Sequence, residues 1–370
     1  MNLVNTITDM IKFRSETGNI SEINKCMEYI KNKFVGTKAN IEIFDKIETA
    51  PVISISNVKT ENYDVLILGH IDVVPAPEKM FSPVIDEAGK MHGRGTLDMK
   101  SFAAVGIHSM LHVLENNLDI KFGIILSSDE EKGSKGTRAF LEANPNLEAK
   151  IVLDNDVGGN IQEIITKCKN PVFVKILAEG LAAHGSTPWE GIDANERLIR
   201  SLENLRKYFP YFSKNGEKPK DKWIDTMHVA IMKGGEVSNV ISDSADALLD
   251  FRLTENSKVE NLEKKLKECL VEGVRYEIVS VSNPVVMDEQ NLYIQEYKKF
   301  AEKALGKEIK FVQIGGATDA RLFALRGSIV IMHSGTGEGM HTNTEYVYVD
   351  SVKQISEIQI KFLEKLSKKD

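Results

Sequence analysis

The chain has 370 residues, of which 42% are hydrophobic and 27% charged, and these values are typical of a globular protein too long for one hydrophobic core. The formal net charge at pH 7 is -7, and no basic tract interrupts the mixed charges, which argues against a nucleic-acid partner held through phosphate contacts. No apolar segment approaches the ~20 residues that a membrane-spanning helix needs, so we expect no membrane partner.

The first predicted element is an amphipathic helix within residues 1–18, with one apolar side formed by Leu3, Ile7, Met10 and Ile11. This segment lacks the uninterrupted apolar stretch and small-residue cleavage site of a signal peptide. The three cysteines, Cys26, Cys168 and Cys269, lie far apart without a CxxC pair. We therefore expect buried or partly buried thiols, without a disulfide framework, and a cytoplasmic location.

The first half of the chain alternates short apolar runs with helical patterns, which predicts a sheet with helices on its faces. The predicted strands cover residues 64–69, 122–127 and 151–153, and a helix is predicted at 99–115. Side chains on that helix recur at the spacing of one apolar face, so it should pack against the sheet.

From about residue 171 the order changes to strand, helix, strand, strand, helix, strand. The predicted elements cover 172–178, 194–208, 226–232, 245–253, 258–271 and 276–281. This order matches a split βαβ module. The chain then resumes with a helix at 292–305, a glycine-containing loop at 315–319, a strand at 328–333 and a last helix at 351–366. We therefore predict one domain of residues 1–170 and 283–370, with residues 171–282 inserted as a second.

Acidic and imidazole side chains follow three predicted strands directly: His70 with Asp72, Glu130 with Glu131, and Asp154. The carboxyl ends of strands in an open α/β sheet form its ligand crevice, so these groups should converge. Asp98 lies at the start of a predicted helix, which would hold its carboxylate on a rigid support.

Histidine, aspartate and glutamate without cysteine are typical of a catalytic divalent-metal site. Taken singly, each motif has an ordinary explanation: a surface pair for His70 and Asp72, a solvated turn for Glu130 and Glu131, and a loop or helix cap for Asp154. Two histidines and three carboxylates exceed the needs of one tetrahedral ion and suit two ions that share a carboxylate.

Five motifs, in this order, resemble the M20 metallopeptidase family, which includes deacetylases, desuccinylases, carboxypeptidases and di- and tripeptidases. They are Gly69-His-Ile-Asp-Val-Val-Pro75, Gly93-Arg-Gly-Thr-Leu-Asp-Met-Lys100, Ser128-Asp-Glu-Glu-Lys-Gly133, Ala183-His-Gly-Ser-Thr-Pro188 and Met340-His-Thr-Asn-Thr-Glu-Tyr346. The resemblance extends from about residue 60 to the end of the chain. It implies an α/β fold with a mixed, mostly parallel sheet and helices on both faces, plus an inserted ferredoxin-like α+β lid.

The resemblance also implies two zinc ions, for which cobalt or manganese can substitute. Asp98 would bridge them, His70 and Asp154 would complete one ion, and Glu131 and His341 the other. Many deacylases of the family have Glu-Pro after this strand, whereas Leu153-Asp-Asn-Asp156 resembles the peptidase branches. Asp156 therefore stays open as an alternative to Asp154.

Two further carboxylates acquire roles from the resemblance. Asp72 would fix the tautomer of His70 and raise its basicity. Glu130 would be the general base, taking a proton from metal-bridged water and passing it to the leaving amine.

The inserted module would be the family's lid. His184 resembles the lid histidine that stabilises the developing oxyanion, although a turn histidine is the simpler explanation of its local sequence. The other positions that resemble substrate-binding residues are Asn239, Arg252, Gly316, Thr318 and Asp319. Arg252 suits a bidentate hold on a carboxylate, but it could equally be an exposed strand residue.

The function expected from these residues is hydrolysis of an amide bond in an N-acyl amino acid or a short peptide, with di- or tripeptidase or carboxypeptidase activity as the alternative. A catalytically silent metal-binding relative is less favoured, because a mere metal holder would not need both Asp72 and Glu130. A two-metal phosphoesterase would use similar ligands, but this sequence has no phosphate-binding glycine loop or basic cluster beside the candidate residues. By resemblance, we expect a homodimer formed through the lid.

Overall fold

The computed structural model describes residues 2–213, 215–216 and 218–368. The chain divides into two compact units. The first extends from the start of the chain to Thr166 and also includes Met287–Val312 and the residues from Thr318 onward, and the second comprises Lys167–Val286 and Gln313–Ala317. The domain limits at 170/171 and 282/283 stay predictions from the sequence.

The helices of the described residues are α1 (Leu3–Lys12), α2 (Ile20–Asn32), α3 (Lys100–Glu115), α4 (Lys135–Ala143), α5 (Ala194–Arg206), α6 (Val259–Cys269), α7 (Leu292–Leu305), α8 (Ala320–Ala324) and α9 (Val349–Ser367). Short 3-10 helices cover Glu78–Phe81, Glu130–Lys132 and Pro188–Glu190. No helix in this part of the chain is long and apolar enough to cross a membrane.

The strands are β1 (Asn40–Phe44), β2 (Val52–Ser56), β3 (Asn62–His70), β4 (Val84–Ile85), β5 (Lys90–His92), β6 (Phe122–Ser127), β7 (Glu148–Asp154), β8 (Glu163–Cys168), β9 (Asn170–Glu179), β10 (Thr226–Gly234), β11 (Ser244–Leu253), β12 (Val274–Val281), β13 (Val285–Val286), β14 (Lys310–Ile314), β15 (Ile329–His333), β16 (Gly337–Glu338) and β17 (Tyr346–Tyr348).

The main sheet of the first unit runs in the order β1-β2-β6-β3-β7-β15-β8. Its central strands are parallel: β3 pairs with β6 and β7, and β7 pairs with β15. The register places His70 opposite Ser127, and Leu68 opposite Asp154. The side chains predicted at the carboxyl ends of three strands therefore lie along one edge of the sheet, where an open α/β sheet has its ligand crevice.

Helices cover both faces of this sheet, which explains why its strands are continuously apolar. On one face, a Cβ added at Gly106 of α3 would lie 3.2 Å from Ile67 of β3. On the other face, Leu66 of β3 and Phe140 of α4 line a common cavity of about 390 Å³. The predicted mixed sheet with helices on both faces is confirmed.

The second unit has the order β9-α5-β10-β11-α6-β12 and a four-stranded antiparallel sheet ordered β10-β11-β9-β12. Along β9, Val172, Val174 and Ile176 are fully buried and alternate with partly buried residues, because only one face of this sheet is covered. Leu198 of α5 and Leu266 of α6 belong to the same apolar core. The predicted ferredoxin-like module is confirmed.

The N-terminal prediction also agrees with the structure. The apolar side of α1 is buried: Leu3, Ile7, Met10 and Ile11 are at most 8% exposed. All three cysteines are buried, and none forms a disulfide. The cytoplasmic location stays a prediction.

His333, the last residue of β15, is fully buried in the first unit. Its Nε2 lies 2.7 Å from the carbonyl of Ile161, which can only accept a hydrogen bond, so Nε2 donates. Its Nδ1 then accepts from the hydroxyl of Tyr297 at 3.2 Å. Burial lowers the pKa of His333 to about 4, although the Ile161 hydrogen bond opposes this shift.

We expect His333 to make the protein sensitive to acid. An unfolded histidine has a pKa of ~6.5, whereas His333 in the folded protein has a pKa of about 4. Between these two pH values, the imidazole is therefore protonated in the unfolded state and neutral in the folded state. The free energy of unfolding should be unaffected by His333 above pH ~6.5 and fall by up to about 3 kcal/mol as the pH drops to ~4. Urea titrations of wild type and His333→Gln at several pH values measure this. The difference between the two proteins should shrink in acid, and a difference independent of pH would contradict the expectation.

Candidate metal centre

His70 ends β3 and is buried with both ring nitrogens engaged. Nδ1 lies 3.0 Å from the backbone carbonyl of Asp72, to which it donates. Nε2 lies 3.0 Å from Oδ1 of Asp98 and 3.6 Å from Oδ1 of Asp156. The Asp72 carbonyl thus holds the tautomer in which Nε2 faces the acidic cluster.

Asp98 precedes α3 and presents its two carboxylate oxygens to two different histidines. Oδ1 faces His70, and Oδ2 lies 3.0 Å from Nε2 of His341. The turn before it needs Gly95, which has a φ of +87° and where an added Cβ would lie 3.0 Å from Val73. The peptide bond between Asp98 and Met99 is cis. One carboxylate therefore joins the two halves of the cluster.

His341 and Glu131 form the second half of the cluster. Nε2 of His341 lies 3.0 Å from Oε2 of Glu131 and equally far from Asp98. His341 has a φ of +61°, in the left-handed region, which costs a residue with a side chain roughly 1–2 kcal/mol. The second carboxylate oxygen of Glu131, Oε1, is buried without a hydrogen-bond partner in the described residues.

Asp72 is fully buried and organises the turn that carries the two glutamates. Its carboxylate accepts hydrogen bonds from the backbone N–H of Glu130 at 3.2 Å and of Glu131 at 3.3 Å. It also accepts from the Thr17 hydroxyl at 2.8 Å. The side chain thus orients these neighbours and presents Oδ1 3.3 Å from Nδ1 of His70.

The structure brings Asp156, rather than Asp154, into the cluster. Asp154 is still part of β7, and its carboxylate accepts hydrogen bonds from the Thr318 hydroxyl and from the backbone N–H of Asp156. Asp156 lies beyond the strand end, and its carboxylate, with His70 and Glu130, forms a group whose ligand atoms all lie within 4.8 Å of one another. The open alternative is therefore the better-placed residue, since Asp154 is occupied by the loop that follows β14.

The electrostatics reflect an excess of negative charge. Burial raises the pKa of Glu130 well above its usual value, and the charge of Asp156 adds to this effect. Burial also raises the pKa of Asp156 to about 8, despite the opposing influence of His70. Hydrogen bonds to the carboxylates of Asp98 and Glu131 raise the pKa of His341 to about 10. These raised pKa values follow from burying several carboxylates close to one another.

This donor set fits divalent cations. His70, Asp98 and Glu131 form a second group of ligand atoms within 4.8 Å of one another. Imidazole and carboxylate oxygen are ligands suited to zinc, and the absence of cysteine from these groups is typical of catalytic sites. A bound cation would give the unpartnered Oε1 of Glu131 a partner and would offset the repulsion among the buried carboxylates.

The three residues predicted to bind substrate in the loop at 315–319 have different environments. The Thr318 hydroxyl donates to Asp154, and its side chain is buried. Asp319 is also buried and accepts from the Thr137 hydroxyl at 2.9 Å. Gly316 is exposed and belongs to the second unit. The Thr318 side chain thus holds Asp154, and one carboxylate oxygen of Asp319 is paired with Thr137.

The lid residues lie in the second unit. His184 is exposed, and the backbone N–H of Ser186 donates to its Nδ1 at 3.2 Å. Nδ1 is therefore an acceptor, and the neutral ring carries its proton on Nε2. Asn239 lies next to it, because its carbonyl accepts from the Gly185 N–H at 2.8 Å. His184 thus presents a preplaced hydrogen-bond donor.

Arg252 already has a partner within its own strand. Its Nε and Nη2 donate to the carboxylate of Asp250 at 2.8 and 3.0 Å. The bidentate geometry that suits a substrate carboxylate is thus used internally, and Nη1 remains for another acceptor. The arginine and its partner are two residues apart on β11 and so share one face of the strand, but spacing alone did not reveal the pairing.

A model described as peptidase family M20/M25/M40 matches residues 66–365. A succinyl-diaminopimelate desuccinylase from Rickettsia canadensis is 27% identical, over 97% of this chain and 98% of its own length. Among solved structures, the aminopeptidase PepT from Bacillus cereus has a TM-score of 0.79 at 20% identity, covering 99% of this chain and 98% of that chain. An M20 family metallo-carboxypeptidase from Sulfolobus solfataricus has a TM-score of 0.80 at 18% identity, covering 98% and 99% of the two chains. These structures share the fold.

Proposed function

Because the chain belongs to peptidase family M20/M25/M40 and is a metallohydrolase of amide or peptide bonds, we propose that it uses two metal ions to hydrolyse an N-acyl amino acid or a short peptide. One observation carries this proposal: the two oxygens of Asp98 each lie 3.0 Å from Nε2 of a different histidine. A carboxylate presented in this way suits the bridge of a two-metal site.

In this proposal, His70 and Asp156 hold one ion, Glu131 and His341 hold the other, and Asp98 is shared. Two zinc ions, replaceable by cobalt or manganese, would supply Lewis acidity and lower the pKa of bound water to about 7. Asp156 takes the place first given to Asp154 because its carboxylate faces His70.

Glu130 is the proposed general base. Its carboxyl group lies among the ligand atoms of His70 and Asp156, and Asp72 holds its backbone. Glu130 would take a proton from the attacking water and return it to the amine as the C–N bond breaks. Glu130 is not completely buried, which would allow a substrate to approach it.

The proposed lid residues act on the substrate. His184 would donate from Nε2 to the carbonyl oxygen as negative charge develops there. Asn239 and Gly316 would bind polar groups of the substrate. Arg252 would bind the substrate carboxylate through the nitrogen that Asp250 does not occupy.

Two substrate classes remain in competition, and each has its own support. The desuccinylase relative, aligned over nearly the whole chain, favours an N-acyl amino acid. The position of Asp156 next to His70 favours the peptidase branches that the Leu153-Asp-Asn-Asp156 segment resembles. Steady-state assays with added zinc on N-succinyl-diaminopimelate, N-acetylornithine, dipeptides and tripeptides distinguish them. Turnover of phosphate esters alone, or of no amide, would contradict the proposal.

We also propose a homodimer formed through the second unit. The edge strand β10 exposes Ile231 at 48% and Met232 at 46%, and unpaired apolar edges favour association. Light scattering should give twice the monomer mass. Charged substitutions at both positions should return the mass to that of one chain.

The choice between Asp154 and Asp156 gives a direct prediction. Asp156→Asn should lower zinc affinity and hydrolysis strongly, because it removes a proposed ligand. Asp154→Asn should retain two ions and lose at most the ~10–100-fold typical of outer-sphere partners, since its carboxylate binds Thr318 and the backbone. Metal analysis and kcat/KM of both variants measure this. The reverse order of effects would restore Asp154 as the ligand.

A further inference from the structure

Glu345 lies four residues after His341 and is fully buried. Its Oε1 accepts three backbone hydrogen bonds, from Gly95 at 3.0 Å, Leu97 at 2.9 Å and Asp98 at 3.1 Å. One carboxylate oxygen therefore holds the turn that ends in the shared ligand Asp98. A charged acceptor makes such hydrogen bonds roughly twice as strong as neutral ones.

The second oxygen of Glu345 pairs with Arg94, which is also buried, at 2% exposure. Arg94 in turn donates from Nη2 to the backbone carbonyl of Thr342 at 3.1 Å. Thr342 directly follows His341. The backbones of the two segments are also joined directly, because the Gly93 N–H donates to the carbonyl of Glu345 at 3.2 Å. The Glu345–Arg94 ion pair thus adds to the pairing of β5 with β17 in joining the segment that carries Asp98 to the segment that carries His341.

We infer that Glu345 and Arg94 are positioning residues that set the distance between Asp98 and His341 and so determine affinity for the ion these two ligands share. The inference rests on the proposed metal centre. Neither side chain offers an atom to a metal, since the Glu345 oxygens are occupied by three N–H groups and a guanidinium. Their effect is therefore transmitted through the backbone of the two ligands.

Both segments that this ion pair joins have backbone conformations that need support. His341 has a left-handed backbone conformation and a half-exposed side chain, so local packing alone does not hold it. The Asp98 turn contains Gly95 with a positive φ, and such a turn has many alternative conformations when free. Outer-sphere partners of metal ligands typically contribute ~10–100-fold in metal affinity.

Zinc and cobalt titrations of metal-free protein test this inference, with Glu345→Gln as the main variant. Gln keeps the size of the side chain but removes the charge that pairs with Arg94. We expect one of the two ions to bind ~10–100-fold more weakly, with an altered visible spectrum of the cobalt form. Arg94→Lys keeps the positive charge but loses the fork that reaches Thr342, so it should weaken the same ion.

Arg326→Gln is the matched control. Arg326 donates to the carbonyls of Leu141, Asn144 and Leu147 and touches no proposed ligand, so its loss should lower thermal stability and leave both affinities unchanged. If wild type binds no divalent ion, the proposed function fails. If wild type binds two ions and Glu345→Gln binds both as tightly, the positioning role is overturned. Should Glu345→Gln not fold, the same readings apply to Arg94→Lys.

Discussion

Asp98→Asn should strip both ions from the protein and abolish hydrolysis. The substitution leaves one oxygen and places an NH₂ group against one of the two histidines that now face a carboxylate oxygen at 3.0 Å. Because both proposed ions share Asp98, the loss of affinity should exceed the ~10–100-fold that removal of an outer-sphere partner costs, and it should affect both ions. Metal content after dialysis and kcat/KM with saturating zinc measure the two effects.

Asp225→Asn is a suitable control for Asp98→Asn. Asp225, in the second unit, also accepts several hydrogen bonds, from the backbone and hydroxyl of Thr254 and from Ser257. Its substitution should lower stability and retain two ions. An Asp98→Asn protein that keeps both ions and its activity would rule out the shared-ligand arrangement.

Glu130→Gln should lower kcat by about 10²–10⁴-fold, the usual contribution of a general base, while two ions stay bound. An amide has the same size as the carboxylate but cannot accept the proton from water. KM should change little, because the step that is lost occurs after the substrate binds. Rapid-mixing kinetics on the best substrate of the panel, together with metal analysis of the same sample, provide both measurements.

The result for Glu130→Gln also separates two roles that the geometry permits. The carboxyl group lies with His70 and Asp156 in a group of potential ligand atoms, so Glu130 could bind a metal instead of transferring a proton. Loss of one ion with loss of activity would make Glu130 a ligand. Unchanged hydrolysis with both ions present would remove it from the mechanism altogether.

Much of the fold was predictable because the periodicity of apolar residues records which faces are buried. The predicted strand at 122–127 coincides with β6, and the predicted helix at 292–305 coincides with α7. The strands β1 and β2 were not predicted. In β1, the sequence Asn40-Ile-Glu-Ile-Phe44 alternates polar and apolar residues, but the strand has only 5 residues and none of them is fully buried, so its sequence signal is weak.

Most residues of the candidate metal centre could also be predicted from the sequence, because parallel strands bring the residues at their carboxyl ends to one edge of the sheet. His70 and Glu131 could be expected there for that reason, and the motif order added Asp98 and His341. The structure places these four side chains together.

The identity of the remaining partners depended on the tertiary structure. Asp154 and Asp156 are separated by one residue, and the sequence alone does not distinguish their carboxylates. In the structure, the hydroxyl of Thr318, 164 positions from Asp154, donates a hydrogen bond to the Asp154 carboxylate. Glu345 lay inside a recognised motif, yet its bonds to a turn about 250 residues earlier leave no local signal. Local patterns determine helices, strands and the edge where they end, because backbone pairing and burial are periodic. Which buried carboxylate stays free to bind a cation is decided by hydrogen bonds between segments that meet only in the folded chain.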